Sequence, residues 1–358
     1  MHSFKKNRKK ILMISITSFI FIFFVSGFAF TWSIYEDTFG KRYDTDVDFN
    51  LNLTLNNFPK LKVEKRSFPT NNRNELDAVL YHKSGTTIKT NDFKALIVVS
   101  HGIGDGHYDQ LPDINALAEA GYLVFAFDNT GSAKSEGNQI KGFPQSIIDL
   151  EKALDYIKSE LDLNRFPIGL YGYSLGGYSV MNVSHKEYPI KAIIERSGPI
   201  TSKSIFMAEA YKEVGQFALF FDPFVSLTEY VKFGKIAQSN AVDSINDVDI
   251  PMLLMHSKDD STVPFDMSPV SQESSITNNQ VILRVFENGG HDFLMSDKAS
   301  EYQKKVLKDR SRLREQYDEI PVDIKREFIK NIDLEQLNEI NSEIMNEMIR
   351  FFDDIFAK

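Results

Sequence analysis

Cysteine is missing from all 358 residues. Disulfide scaffolds, thiolate–zinc sites, iron–sulfur clusters and thiol catalysis are thereby excluded. An exported eukaryotic domain of this size would usually carry disulfides, so the absence leans towards a bacterial chain. Twelve prolines and nineteen glycines are too few for a low-complexity chain, and 42% hydrophobic with 25% charged residues is ordinary for a globular one. Positive charge is scarce beyond the N-terminus. Lys5, Lys6, Arg8, Lys9 and Lys10 precede the first acidic residue, Glu36, which leaves 36 basic against 50 acidic groups in the remainder. Such a surface repels nucleic acid and anionic headgroups, so no nucleic-acid partner is expected.

Charge is absent altogether from residues 11–32. This apolar run, Ile11 to Trp32, is long enough to cross a bilayer core of about 30 Å. The basic cluster before it predicts an N-terminus in the cytoplasm and a body outside. Trp32 and Tyr35 fall where an interfacial aromatic belt would sit. A cleaved signal peptide, the alternative, would have a shorter apolar core and a small-x-small site. The stretch around Ser26, Gly27 and Ala29 supplies a poor one, crowded by Phe28 and Phe30. The expected organisation is a cytoplasmic tail over 1–10, a membrane anchor over 11–32, a polar, Asn-rich solvated stalk over 33–60 and a catalytic body over 61–358. Asp44, Asp46 and Asp48 alternate like the start of a calcium loop. Phe49 and Leu55 stand where that loop needs Gly and Glu, so no metal is expected there. Nothing else in the sequence calls for a metal or cofactor.

Within the body, apolar runs alternate with helical patterns. Strands are predicted at 61–67, 76–82, 95–100, 122–127, 167–171, 190–194, 252–255 and 281–286, with helices at 114–120, 143–160, from the elbow near 174 to about 183, and 340–356. The first two strands form an antiparallel pair around a turn at Asn71-Asn72. Short continuous apolar strands alternating with helices specify a mostly parallel sheet covered on both faces, with its chemistry at the C-terminal strand ends.

The sequence Gly172-Tyr173-Ser174-Leu175-Gly176 matches G-x-S-x-G between a predicted strand and a predicted helix. A serine in so tight a turn needs small neighbours, and the helix N-terminus directs free N–H groups at it. Its hydroxyl needs a base. Where such a nucleophile elbow belongs to a triad, the chain order is serine, then acid, then histidine. His256 precedes the acid candidates, whereas His291 follows a strand and Gly289-Gly290, so His291 is the expected base. Asp259 and Asp260, after the strand at 252–255, both qualify as the acid.

The segments VVSHGIG, VFAFDNTGSAKSEG, GLYGYSLGG, LLMHSKDDSTVP and ENGGHDF resemble, in order, those of the α/β-hydrolase superfamily. The closer similarity is to its bacterial serine aminopeptidase and lysophospholipase-like branch. The resemblance implies an α/β-hydrolase fold with a helical lid and a serine hydrolase. It selects Asp260 as the acid and assigns the backbone N–H groups of Ile103 and Leu175 to an oxyanion hole. His101 is then a residue that braces its loop; His107 and Tyr108 either line the site or belong to a surface loop. Two departures stand out: Ser257 replaces the usual glycine, and a charged helical insertion occupies about 295–338.

The lid falls at about 201–248, rich in Phe206, Met207, Phe217, Phe220, Phe221, Phe224, Leu227 and Tyr230. These pack the lid's own core or face an acyl chain, and they favour a small, lipid-like ester substrate. The expected activity is that of an extracytoplasmic esterase or lipase. A serine peptidase and a silent membrane-tethered binding module are the alternatives.

Overall fold

The computed structural model describes every residue except 1, 44–48, 72, 90, 91, 161, 318, 357 and 358, and gives the helical backbone alone for 2–10, 209 and 213. The Asp44–Asp48 alternation and half of the Asn71-Asn72 turn therefore lie outside the described residues.

The chain runs α1 (His2–Phe39), β1 (Leu61–Pro69), β2 (Glu75–Lys83), β3 (Leu96–Ser100), α2 (Leu111–Glu119), β4 (Leu123–Phe127), α3 (Phe143–Ser159), β5 (Ile168–Tyr173), α4 (Leu175–Asn182) and β6 (Ile190–Arg196). It continues through α5 (Ser202–Val214), α6 (Asp222–Phe233), α7 (Ala241–Asn246), β7 (Met252–Ser257), β8 (Val281–Phe286), α8 (Asp297–Gln316), α9 (Val322–Lys330), α10 (Leu334–Leu337) and α11 (Ser342–Phe356). The strands form one eight-stranded sheet in the order β1-β2-β4-β3-β5-β6-β7-β8. β1 and β2 pair antiparallel, β2 joins β4 antiparallel, and every later pairing is parallel.

Burial follows from the residue pattern. Every residue of β3, LIVVS, and of β4, LVFAF, is buried, because helices cover both faces of the central strands. The edge strand β8 alternates instead, with Ile282 exposed. On one face Leu80, Val98, Leu170 and Leu254 pack with α3, α4 and α7; on the other Val79, Val99, Ile194 and Met255 pack with α2 and α11. Truncating a fully buried side chain such as Leu170 to Ala would cost about 2–5 kcal/mol.

Three expectations need correction. First, the N-terminal helix does not end near Trp32 but continues unbroken to Phe39. Its last turns are not lipid-facing: Tyr35 is fully buried among Phe39, Phe143, Leu175 and Tyr178. Second, the described part of the segment expected as a solvated stalk lies against the body. The Arg42 guanidinium donates to the carbonyls of Ala133, Ser135 and Gly137, and Phe49 and Leu53 are buried. Asn338 Nδ2 donates to Leu51 O at 2.8 Å. The apolar residues interspersed in this polar stretch are what seat it. Third, four of the eight lid residues, Phe217, Phe220, Leu227 and Tyr230, are exposed, whereas Phe224 is buried and the other three are half-buried.

The insertion consists of α8, α9 and α10, closed at its base by a bridge between Met295 and Ile340. It folds back onto the segment before β1, where the Phe49 and Phe328 rings lie 5.3 Å apart and Arg310 sits 4.4 Å from the Phe49 ring.

Candidate active site

Ser174 sits between β5 and α4 with φ 54° and ψ −112°, a left-handed conformation that an L-residue adopts only under constraint. The constraint is packing. A Cβ at Gly172 would collide with the Gly176 carbonyl, and one at Gly176 with the Ser100 carbonyl of neighbouring β3. The Ser174 N–H donates to Arg196 O at 2.8 Å, tying the elbow to β6.

Ser174, His291 and Asp260, separated by up to 117 positions, meet at one point. Ser174 Oγ is 2.9 Å from His291 Nε2, and His291 Nδ1 is 2.8 Å from Asp260 Oδ2. The ring is presented by Gly289 and Gly290, with φ of 140° and 64°. Asp260 Oδ1 accepts the N–H groups of Thr262 and Val263 at 2.8 and 2.9 Å, leaving Oδ2 for the imidazole. Burial alone would raise the Asp260 carboxyl. The hydrogen bonds from His256, His291 and Val263 outweigh it and hold the group well below the usual carboxylate range. Asp259 does something different: it accepts the Ser257 hydroxyl at 2.6 Å and the Gly290 N–H at 2.8 Å. Ser257 thus anchors Asp259, and Asp259 anchors the turn that carries His291.

Leu175 begins α4, so its N–H is among the first-turn donors that have no partner within the helix. Ile103 lies in the loop after β3 and packs with Leu175 in one apolar cluster around Tyr35 and Phe39. His101 braces that loop: its buried Nδ1 donates to Gly102 O at 2.7 Å and its Nε2 accepts the Asn129 N–H at 2.9 Å. Burial, the largest influence, lowers its pKa and keeps the ring neutral. His107 neither lines the site nor belongs to a surface loop. It is fully buried, with Nδ1 2.7 Å from Asp128 Oδ1. Tyr108 is half-buried, and its hydroxyl accepts from Lys134 at 2.8 Å.

Several residues around the triad have roles that the sequence did not reveal. His256 Nε2 donates to Val263 O at 2.9 Å and stands 3.3 Å from Asp260 Oδ2, the same oxygen that meets His291. Glu195 is fully buried behind the elbow, where it accepts the Gly198 N–H. Burial pushes its pKa up to about 7, with the nearby His256 opposing the shift. Arg196 ties His291's neighbour into the body, pairing with Asp292 and, at 3.3 Å, with Asp113. Asp113 also accepts the Tyr171 hydroxyl at 2.5 Å.

His291, Arg196 and Asp292 face a cavity of about 1000 Å³ that is also lined by Asp105, Asp109 and Gln110 and walled on its far side by α8. Burial, then the charges of Asp109 and Asp292, push the Asp105 carboxyl up. The buried Gln110 amide has no hydrogen-bond partner on either polar atom among the described residues.

Residues 91–223 match the family described as serine aminopeptidase, S33. A monoglyceride lipase of Rattus norvegicus is 38% identical over 88 residues, 24% of this chain and 28% of the lipase. The chain thus spans less than a third of the length of the lipases it matches. An uncharacterised protein of Escherichia coli is 22% identical over 215 residues, 60% of this chain and 69% of the other. Among solved structures an esterase of Pyrococcus furiosus superposes with a TM-score of 0.52 at 19% identity, covering 73% of this chain and 94% of the esterase. That likeness shows the fold.

Proposed function

Since the chain belongs to the α/β-hydrolase superfamily, we propose that it is a serine hydrolase that cleaves carboxylic esters through an acyl-enzyme on Ser174. One observation carries the reading: a strained, helix-capping serine lies 2.9 Å from an imidazole whose other nitrogen meets a carboxylate at 2.8 Å. In this reading His291 Nε2 takes the Ser174 proton as Oγ attacks the ester carbonyl, then gives it to the leaving alkoxide. Water repeats the sequence on the acyl-enzyme. Asp260 fixes the tautomer with Nδ1 protonated and stabilises the imidazolium. The Leu175 and Ile103 N–H groups receive the charge that develops on the carbonyl oxygen.

The apolar cluster that holds Ile103 and Leu175, with Tyr35, Phe39 and Phe206 beside it, supports a hydrophobic acyl group. The names monoglyceride lipase and esterase among the chain's relatives point the same way. The carboxylate-lined cavity beside His291 favours a second reading, in which a cationic terminus is held there and the enzyme is a peptidase. The basic cluster before the apolar helix supports a body outside the cytoplasm.

Ser174→Ala should lower kcat on p-nitrophenyl butyrate by about 10³-fold or more while circular dichroism stays unchanged. Near wild-type hydrolysis by a folded variant would sink the reading. Amide cleavage of aminoacyl-nitroanilides exceeding ester cleavage would transfer it to the peptidase. Protease added to intact cells should digest the body; digestion only after lysis would overturn the outside placement.

A further inference from the structure

We infer that the tip of the lid is embedded in the bilayer that α1 crosses, on the leaflet facing the body. Within Ile11 to Phe39 α1 is long and apolar enough to cross a membrane, with a mean hydropathy of 2.4 over its 18-residue apolar window. It does not stand apart from the body. The Phe224 ring at the start of α6 packs 6.0 Å from Phe23 and 5.6 Å from Phe24, and lies against Gly27, where a Cβ would collide with it. Phe221 meets Phe30 at 5.7 Å. At the other end of α6, Lys232 pairs with Glu36 and sits 4.9 Å from the Trp32 ring. The start of α6 therefore lies beside Phe23 to Phe30 of α1, and its end beside Trp32 to Glu36.

The outer boundary of the membrane is fixed by the polar end of this pairing. Lys232, Glu36 and Trp32 form a charged and aromatic collar suited to the headgroup level. Phe24 lies eight residues before Trp32, about 12 Å deeper along the helix. The start of α6, held between Phe24 and Phe30, thus lies about 3–12 Å below the collar, inside the hydrocarbon. The turn before α6 presents an uncovered apolar surface, with Phe217 71%, Leu219 66% and Phe220 65% exposed, and the charge of Asp222, first in α6, is paired with Lys203 at 2.8 Å. Along α6 the exposed stripe continues through Leu227, Tyr230 and Val231. A patch of this kind in water marks an interaction surface. Its occupant follows from its position, because it adjoins the exposed apolar surface of the spanning helix, where Phe21, Ile22 and Phe23 are 67%, 62% and 51% exposed. Inward, α5 brings Phe206 into the apolar cluster of Leu175 and Ile103, so the surface is continuous with the wall of the site.

The absence of cysteine makes the test direct. Phe220→Cys, Phe21→Cys on α1 and Lys308→Cys on α8 each place one thiol in the full chain for an environment-sensitive fluorophore. After reconstitution in phosphatidylcholine vesicles, labels at 220 and 21 should both be quenched by lipids with nitroxides on the acyl chain and protected from iodide. The label at 308 should show the reverse. A 220 label that behaves like 308 while 21 is quenched by lipid would overturn the inference and leave the anchor standing. A 220 label shielded from both quenchers would overturn it in favour of a contact between two copies. Iodide access at 21 would overturn it by removing the spanning helix. Enzymatic activity enters none of these outcomes, so they are independent of the ester-hydrolase reading.

Discussion

The two walls beside His291 and Ser174 are built from opposite chemistry. On the lid side Tyr35, Phe39, Ile103, Leu175 and Phe206 pack in an apolar cluster, with Lys232 5.4 Å from the Tyr35 ring at its edge. On the insertion side Asp105, Asp113 and Asp292 stand around the deeply buried guanidinium of Arg196, and Asp109 lines the same cavity. The lid wall is assembled with α1, and the insertion wall with the segment after it. One wall is built from aromatic and aliphatic side chains; the other carries carboxylates and a guanidinium. The contrast teaches that the two additions to the sheet border surroundings of opposite polarity on either side of Ser174 and His291.

The largest expected effect is at the point where the walls meet. Asp260→Asn should lower kcat by about 10³-fold or more, since it spoils the imidazole's tautomer and orientation. Asp259→Asn should cost far less, because its oxygens serve Ser257 and the glycine turn. Equal losses in the two variants would show that the turn, rather than the ring contact, limits catalysis.

Next in size is a break of the apolar wall. Phe206→Asp should raise KM for p-nitrophenyl esters of long acyl chains by about tenfold or more, the worth of one or two lost apolar contacts. Acetate ester hydrolysis should change little. A uniform loss across chain lengths would mean that Phe206 supports the fold and does not select the acyl group. On the insertion wall the effect should be a few-fold. Asp105→Asn should weaken competitive inhibition by alkylammonium compounds and leave neutral alcohols unaffected. No change in either would remove the cavity from substrate recognition.

The smallest effect concerns Glu195, which belongs to neither wall. Its folded-state pKa is raised to about 7 from an ordinary 4.5, chiefly by burial. Between those values the unfolded chain has released the proton while the folded chain still holds it, so stability falls as pH rises through that window. The Tm of Glu195→Gln should therefore decline less than that of the wild type from about pH 4.5 to about pH 7. Parallel curves would place the ionisation elsewhere.

What the sequence could reveal was local or ordered along the chain. The elbow was legible because G-x-S-x-G needs its glycines within five residues, and the sheet because its central strands are apolar throughout. Asp260 was separable from Asp259 through resemblance, and His291 through its place after β8. Features that depend on distant pairing stayed hidden. Nothing near Arg196 announces Asp113 or Asp292, which are 83 and 96 positions away. His256 looked like the end of a buried strand, and only its 3.3 Å approach to Asp260 gives it a role. The polar composition of 33–60 concealed the few residues, Tyr35, Phe39, Phe49 and Leu53, that fasten it down. The lid's aromatic residues gave no sign of facing outward, because a hydrophobic side chain reads the same whether protein or lipid covers it.

The central claim is that Ser174 is the residue that becomes acylated. Labelling the full chain with a fluorophosphonate, followed by peptide mass mapping, tests it most directly. The account predicts one adduct, on the peptide containing Ser174, that is lost in Ser174→Ala and formed much more slowly in Asp260→Asn. An adduct on another residue, or undiminished labelling of a folded Ser174→Ala protein, would contradict it.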